Sequence, residues 1–170
     1  MTMKRMLLLL VAGVLLAGCA TTVYGPDGHK LSKTEVAQLR EERVAQRLEK
    51  RDYRIVMRTM IPNRGPSRVL HDDWDITVHG DSLVSYLPYF GRAYNVPYGG
   101  GRGLNFAAPI GSYAVEQLRA DMVRIVMDVV TDEDSFQYVL DVFTNGSASL
   151  EVFSRNREPV RFNGEMEVVL

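Results

Sequence analysis

His71, Asp73, Asp75 and His79 alternate along one stretch of chain, the arrangement in which imidazoles and carboxylates on a strand face can gather a metal ion. The spacing defeats it. Extended chain separates His71 from His79 by ~27 Å, and His71 with Asp73 would supply two ligands where zinc needs a third or fourth. A solvated strand face is expected there, with no metal. Asp132-Glu133-Asp134 lacks the ordered spacing of a calcium loop and reads as a polar turn. With three histidines and no Gly-x-Ser-x-Gly elbow, no serine triad can be assembled from local sequence. No catalytic residue and no cofactor is therefore expected, although a site built from distant residues would leave no local motif.

The segment from Ser85 to Phe106 has a different chemistry. Tyr86, Tyr89, Phe90, Tyr94 and Tyr98 put five of the chain's fifteen aromatics within thirteen residues. Pro88, Pro97 and five glycines exclude regular structure over most of it. Aromatic faces stack on the apolar faces of sugars. Arg92 or Arg102 can grip a carboxylate or phosphate in bidentate fashion, and successive amides of Gly99 to Gly103 can form an anion nest. The simpler expectation is a self-packed loop whose tyrosines cover one open end of a sheet. The alternative is contact with a ligand or partner through Tyr86, Tyr89, Phe90, Arg92, Tyr94, Tyr98 and Arg102. Long irregular loops favour such a role. Arg155-Asn156-Arg157, ahead of Pro159, reads as a structural turn that can add to an anion site.

The amino terminus carries the remaining local chemistry. Lys4 and Arg5 precede an apolar run, Leu7 to Leu16, too short to cross a bilayer. A basic start, a short apolar middle and small residues describe a secretory signal. Leu16-Ala17-Gly18-Cys19 matches the bacterial lipobox, so residues 1–18 are expected to be removed and Cys19 acylated. Lipidation would consume the chain's only cysteine, which in any case cannot form an internal disulfide. Residues 19–31 then form a lipidated tether. Ala20 and Thr21 lack the aspartate of inner-membrane retention, which points to the outer membrane, facing the periplasm.

These groups need elements to position them. The chain is 170 residues long, 46% hydrophobic and 24% charged, which excludes disorder and disulfide scaffolds. With 20 basic and 21 acidic residues it lacks the excess of a nucleic-acid binder. Residues 32–170 suffice for one domain. Ser32 to Glu35 fits a capping box, and residues 33–52, free of Gly and Pro, are predicted helical. A thin seam of Val36, Leu39, Val44 and Leu48 faces inward. Arg40, Arg43, Arg47, Lys50 and Arg54 share another face. That face is expected to be solvated, with anionic headgroups as the alternative partner.

From Tyr53 onward the hydrophobic period is two. Predicted core positions are Tyr53, Ile55, Trp74, Ile76, Val78, Leu83, Ile125, Met127, Phe136, Tyr138, Leu140, Leu150 and Val152. Gly80-Asp81, Asn145-Gly146 and Asn163-Gly164 read as hairpin turns, the second as type I′. Residues 113–122 fit either period and are taken as strand. The expected fold is mainly β, at the margin of α+β: an N-terminal helix, then eight to ten antiparallel strands in a curved sheet, sandwich or partial barrel.

Tyr86-Leu87-Pro88-Tyr89-Phe90-Gly91-Arg92-Ala93-Tyr94, the glycines with Leu104-Asn105-Phe106, Phe153 to Arg157 and Phe162-Asn163-Gly164 resemble the bacterial lipoprotein family called domain of unknown function 4251. The resemblance spans roughly residues 36–170. It implies a secreted or lipid-anchored protein, and since it implies no activity it carries no catalytic residues over to this chain. Combined with the loop, it favours a non-catalytic binding or structural module whose partner is a glycan, a peptidoglycan fragment or an envelope protein. An amphiphile carrier is the rival expectation, and an enzyme with a distributed site the third.

Overall fold

The computed structural model describes residues 29–94 and 101–169. The expected signal peptide, Cys19, most of the tether and Tyr98 lie outside the described residues. The chain divides into two compact units, Met1–Val36 and Ala37–Leu170. In the first, the capping box is formed: the Ser32 amide donates to Glu35 Oε2 at 2.7 Å and the Glu35 amide to Ser32 Oγ at 3.2 Å. These bonds hold the Glu35 carboxyl below its ordinary range. They start helix α1, Lys33–Glu49.

The helix ends three residues before the predicted limit. Arg51 adopts φ 49°, a left-handed conformation that usually falls to glycine, and turns the chain into the sheet. Tertiary contacts offset that strain. The Arg51 guanidinium reaches Asp81 at 3.0 Å and lies 4.2 Å from the Tyr113 ring centre, while its carbonyl accepts the Gly80 amide. Arg54 therefore belongs to a strand and not to the basic helix face. It pairs with Asp75 and Glu167.

Nine strands follow: β1 Asp52–Pro62, β2 Arg68–Val69, β3 Asp75–His79, β4 Ser82–Leu87, β5 Leu104–Arg119, β6 Met122–Val130, β7 Ser135–Phe143, β8 Ser147–Ser154 and β9 Val160–Met166. All pairings are antiparallel, in the order β2-β1-β3-β4-β5-β6-β7-β8-β9, and β9 returns to pair with β1. Eight strands thus close into a barrel, with β2 as an extra strand continuing the β3 side of β1. Closure goes beyond the predicted curved sheet or partial barrel, and it removes the free edges that an open sheet would leave.

Register carries the alternating apolar residues inward as continuous rows. Ile55 lies opposite Ile76 and Met166, Ile125 opposite Leu140, Leu140 opposite Leu150, and Leu150 opposite Phe162. An eight-stranded barrel either encloses a small ligand or fills itself with side chains. Here Tyr138, Phe162, Met57, Met60, Met127 and Leu104 are among the fully buried side chains that occupy the interior. Phe106 stacks on Phe136 at 5.0 Å, and both meet Tyr138 edge-on. The Tyr138 hydroxyl donates to Ser85 Oγ at 2.9 Å, and that hydroxyl donates to the Leu104 carbonyl at 2.7 Å, so the buried polar chain is satisfied. Val44 is buried and Leu48 half-buried at the barrel end that holds Gly146.

Three local readings are corrected. Trp74 is only partly buried: it packs against the core, but β3 begins at Asp75, so the strand alternation does not carry the indole fully inward, and it stacks on Tyr86 at 4.6 Å. Asn145-Gly146 is not a type I′ turn, because only Gly146 has positive φ, at 87°. The β7–β8 loop is the three-residue Thr144-Asn145-Gly146, with the Asn145 side chain accepting the Ser147 amide. Asn163-Gly164 is not a turn. Strand β9 runs through it, and Gly164 is required because a Cβ there would collide with the Val56 carbonyl. Residues 113–119 are strand, as expected, ending in a two-residue turn before β6.

Candidate functional site

The aromatic loop folds over the barrel end where β4 leaves and β9 enters. Pro88 is buried, and residues 92–94 run against residues 156–158. Ala93 bridges Arg157, the Tyr94 amide donates to the Asn156 carbonyl at 2.7 Å, and the Glu158 amide donates to the Arg92 carbonyl at 3.0 Å. The Tyr89 hydroxyl lies 2.9 Å from the Arg92 carbonyl and 3.0 Å from the Glu158 carbonyl and shares its proton between them. Burial, followed by the nearby Glu158 charge, raises this phenol above its ordinary pKa and keeps it a donor. Gly91 is needed for that clasp, because a Cβ would lie 2.5 Å from the Tyr89 hydroxyl. Among the described residues, the loop therefore packs on itself through Tyr89, while Tyr86 and Tyr94 stay exposed.

Beneath the clasp is a buried ion pair. Asp134 and Arg157 have side chains 1% and 7% exposed, with Oδ2 and Nε 3.7 Å apart. Asp134 also accepts the Ser135 amide at 2.8 Å and the Ser154 hydroxyl at 2.6 Å. The Arg157 Nε has no hydrogen-bond acceptor, and its guanidinium lies 5.6 Å from the Tyr89 ring centre. Arg155-Asn156-Arg157 is therefore a structural turn, as read from sequence.

Beside the clasp lies an open cleft of about 580 Å³. Tyr89, Phe90 and Arg92 line it from the loop, Arg64 from the β1–β2 turn, Arg68 from the start of β2, and Glu158 from the β8–β9 loop. Arg68 sits 4.6 Å over the Phe90 ring, and Phe90 remains 53% exposed. Arg64 reaches the buried Glu158 at 3.5 Å. Three guanidinium groups against one carboxylate give the cleft a surplus of positive charge.

The other expected contact residues are elsewhere. Tyr86 stacks on Trp74 on the outer wall, and Tyr94 is exposed without lining the cleft. Arg102 is clamped to the β6–β7 turn by Glu133 at 3.1 Å and by Asp132. Gly99 and Gly100 lie outside the described residues, and within the described part of the expected nest the Arg102 amide already donates to Glu133 Oε2 at 3.0 Å. Of the expected residues that are described, Tyr89, Phe90 and Arg92 come together. Arg64 and Arg68 escaped the sequence reading. Their one local signal is a pair of arginines flanking Gly65-Pro66, a turn that brings both to one side.

No group of three or more potential metal ligands occurs among the described residues. His79 instead sits 3.1 Å from Asp52, which holds that carboxyl below its ordinary value with help from Arg47. No helix among the described residues is long and apolar enough to cross a membrane.

An eight-stranded antiparallel barrel preceded by a helix, with its aromatic loop clasped over one end, defines the structural class. Residues 35–166 match the family described as "Domain of unknown function (DUF4251)", and the chain belongs to it. A crystal structure of a DUF4251 family protein from Bacteroides eggerthii is similar, with a TM-score of 0.58 over 75% of this chain and 87% of that chain. Their 10% identity limits that likeness to the fold. No curated protein matches the chain.

Proposed function

We propose that this protein is a lipid-anchored envelope module whose role is binding, with the ligand held in the cleft of Phe90, Arg92, Arg64 and Arg68. The observation that carries the reading is the concentration of guanidinium groups around an exposed aromatic ring in one concave site. Clefts of this size suit a small ligand or an inserted segment of a partner. The glycan, peptidoglycan fragment or protein partner expected from the loop all carry groups that aromatic rings and arginines recognise. An amphiphile carrier is disfavoured because large side chains fill the barrel interior.

The anchor rests on Leu16-Ala17-Gly18-Cys19. Acylation at Cys19 would hold the protein at the outer membrane, facing the periplasm, and the wild type would then label with palmitate while Cys19→Ser would not. For the cleft, the detergent-extracted lipoprotein is compared with its Phe90→Ala/Arg92→Ala variant by native mass spectrometry. Loss of a co-purifying ligand from a variant with unchanged melting temperature supports the cleft. Recovery of the same ligands from both forms refutes it.

A further inference from the structure

Among the described residues, the Arg68 and Arg92 side chains form no salt bridge and donate no hydrogen bond. The two are not alike. The Arg68 guanidinium carbon lies 4.6 Å from the Phe90 ring centre, a contact that consumes no N–H donor and leaves the fork free for a planar oxyanion. Arg92 lies just after the Tyr89–Gly91 clasp, so its backbone is held by two accepted hydrogen bonds while its side chain stays exposed. Arg64 is partly neutralised by Glu158 and contributes less. The cleft thus offers two donor forks, one exposed aromatic surface, and apolar walls from Pro62, Pro159 and Val160.

We propose that the ligand is an acidic saccharide, a sugar ring bearing a carboxylate. The carboxylate takes the bidentate donors of Arg68 or Arg92, and the C–H face of the ring packs on Phe90 and the proline walls. This rests on the assignment of the cleft as the binding site and adds the chemistry of its occupant. A neutral glycan would leave both forks unused. A bare oxyanion would leave the aromatic and proline surface unused.

The full-length protein in detergent is titrated with N-acetylmuramic acid and D-galacturonic acid, and in parallel with N-acetylglucosamine and D-galactose as ring controls lacking the carboxylate. Amide and side-chain NMR shifts of cleft residues are followed. The acids are expected to bind at least tenfold more tightly than their neutral counterparts, and binding should weaken as salt rises. Arg92→Gln or Arg68→Gln, according to which fork takes the carboxylate, should weaken the acids at least tenfold, and the double variant must do so, with the melting temperature unchanged in each. Inorganic phosphate should fail to displace them at equal concentration.

Equal binding of acidic and neutral sugars overturns the carboxylate assignment but leaves the cleft as the site. Displacement by equimolar phosphate overturns the saccharide assignment in favour of a simple oxyanion site. No shift with either acid overturns the proposal, while the ligand comparison between wild type and the Phe90→Ala/Arg92→Ala variant still judges the cleft independently.

Discussion

Replacing Asp134 by Asn removes one negative charge from beneath the aromatic loop while preserving shape and an oxygen that can still accept from the Ser135 amide or the Ser154 hydroxyl. What it isolates is the charge on Arg157. At the observed 3.7 Å separation, an effective dielectric of about 20 makes the lost attraction about 4 kcal/mol. That lies within the roughly 3–5 kcal/mol found when one partner of a buried pair is removed and the other is left uncompensated. For a domain of this size the melting temperature should fall by on the order of 10 °C. The assay is thermal unfolding followed by circular dichroism, with wild type, Asp134→Asn, and Asp134→Asn combined with Arg157→Met. The double variant, with no orphaned charge, should recover more than half of the loss. A single-variant decrease below about 3 °C would refute the reasoning, as would a double variant less stable than the single one.

Gly164→Ala should destabilise the barrel by about 3 kcal/mol or more, because the added methyl meets the Val56 carbonyl, a backbone atom that cannot rotate away; urea denaturation measures it, and a change under about 0.5 kcal/mol would contradict the close approach. Acid should also destabilise. Hydrogen bonds from Ser112 at 2.6 Å and Gln137 at 3.0 Å hold the Asp128 carboxyl below its ordinary 3.8, so the unfolded chain takes up the proton more readily than the folded one. That stability is present above about pH 4 and is lost as pH falls through the lower folded-state value. Asp128→Asn should flatten the decline in melting temperature between about pH 5 and pH 2.5, and an unchanged slope would contradict the assignment.

Much of the barrel was legible because strand alternation is a local property. A residue's side depends on its parity, so Ile55, Ile76, Leu83, Ile125, Tyr138 and Leu150 could be assigned inward before their partners were known, and all are buried. Alternation fails where a strand ends, and Trp74 lies one residue outside β3. Dipeptide turn signals are weaker still. Asn163-Gly164 has the composition of a turn, yet its glycine serves the close approach of β9 to its neighbour β1 beside the irregularity at Met57–Thr59. Glycine answers two different needs, positive φ and close approach, and composition does not separate them.

The site was legible in part for the same reason. The loop declared itself by density of aromatics and glycines, and Tyr89, Phe90 and Arg92 do share a cleft. Tyr86 and Arg102 were as conspicuous in sequence but are occupied by Trp74 and by the Asp132-Glu133 turn. Arg64 and Arg68 were inconspicuous, because an arginine in a surface turn and another at the start of a two-residue strand have no local mark of function.

By itself, then, the sequence determined the capping box that starts the helix, the inward face of most strands, the antiparallel pairing imposed by short connections, and the presence of a long irregular aromatic loop. These depend on backbone periodicity and on contacts between residues close in the chain. Only the tertiary structure decided that the sheet closes through β1 and β9, that the helix stops at a left-handed Arg51 held by Asp81 and Tyr113, and that arginines from separate turns meet Phe90 in one cleft. Each of these depends on the stagger and curvature accumulated across eight strands, which no short window of sequence contains.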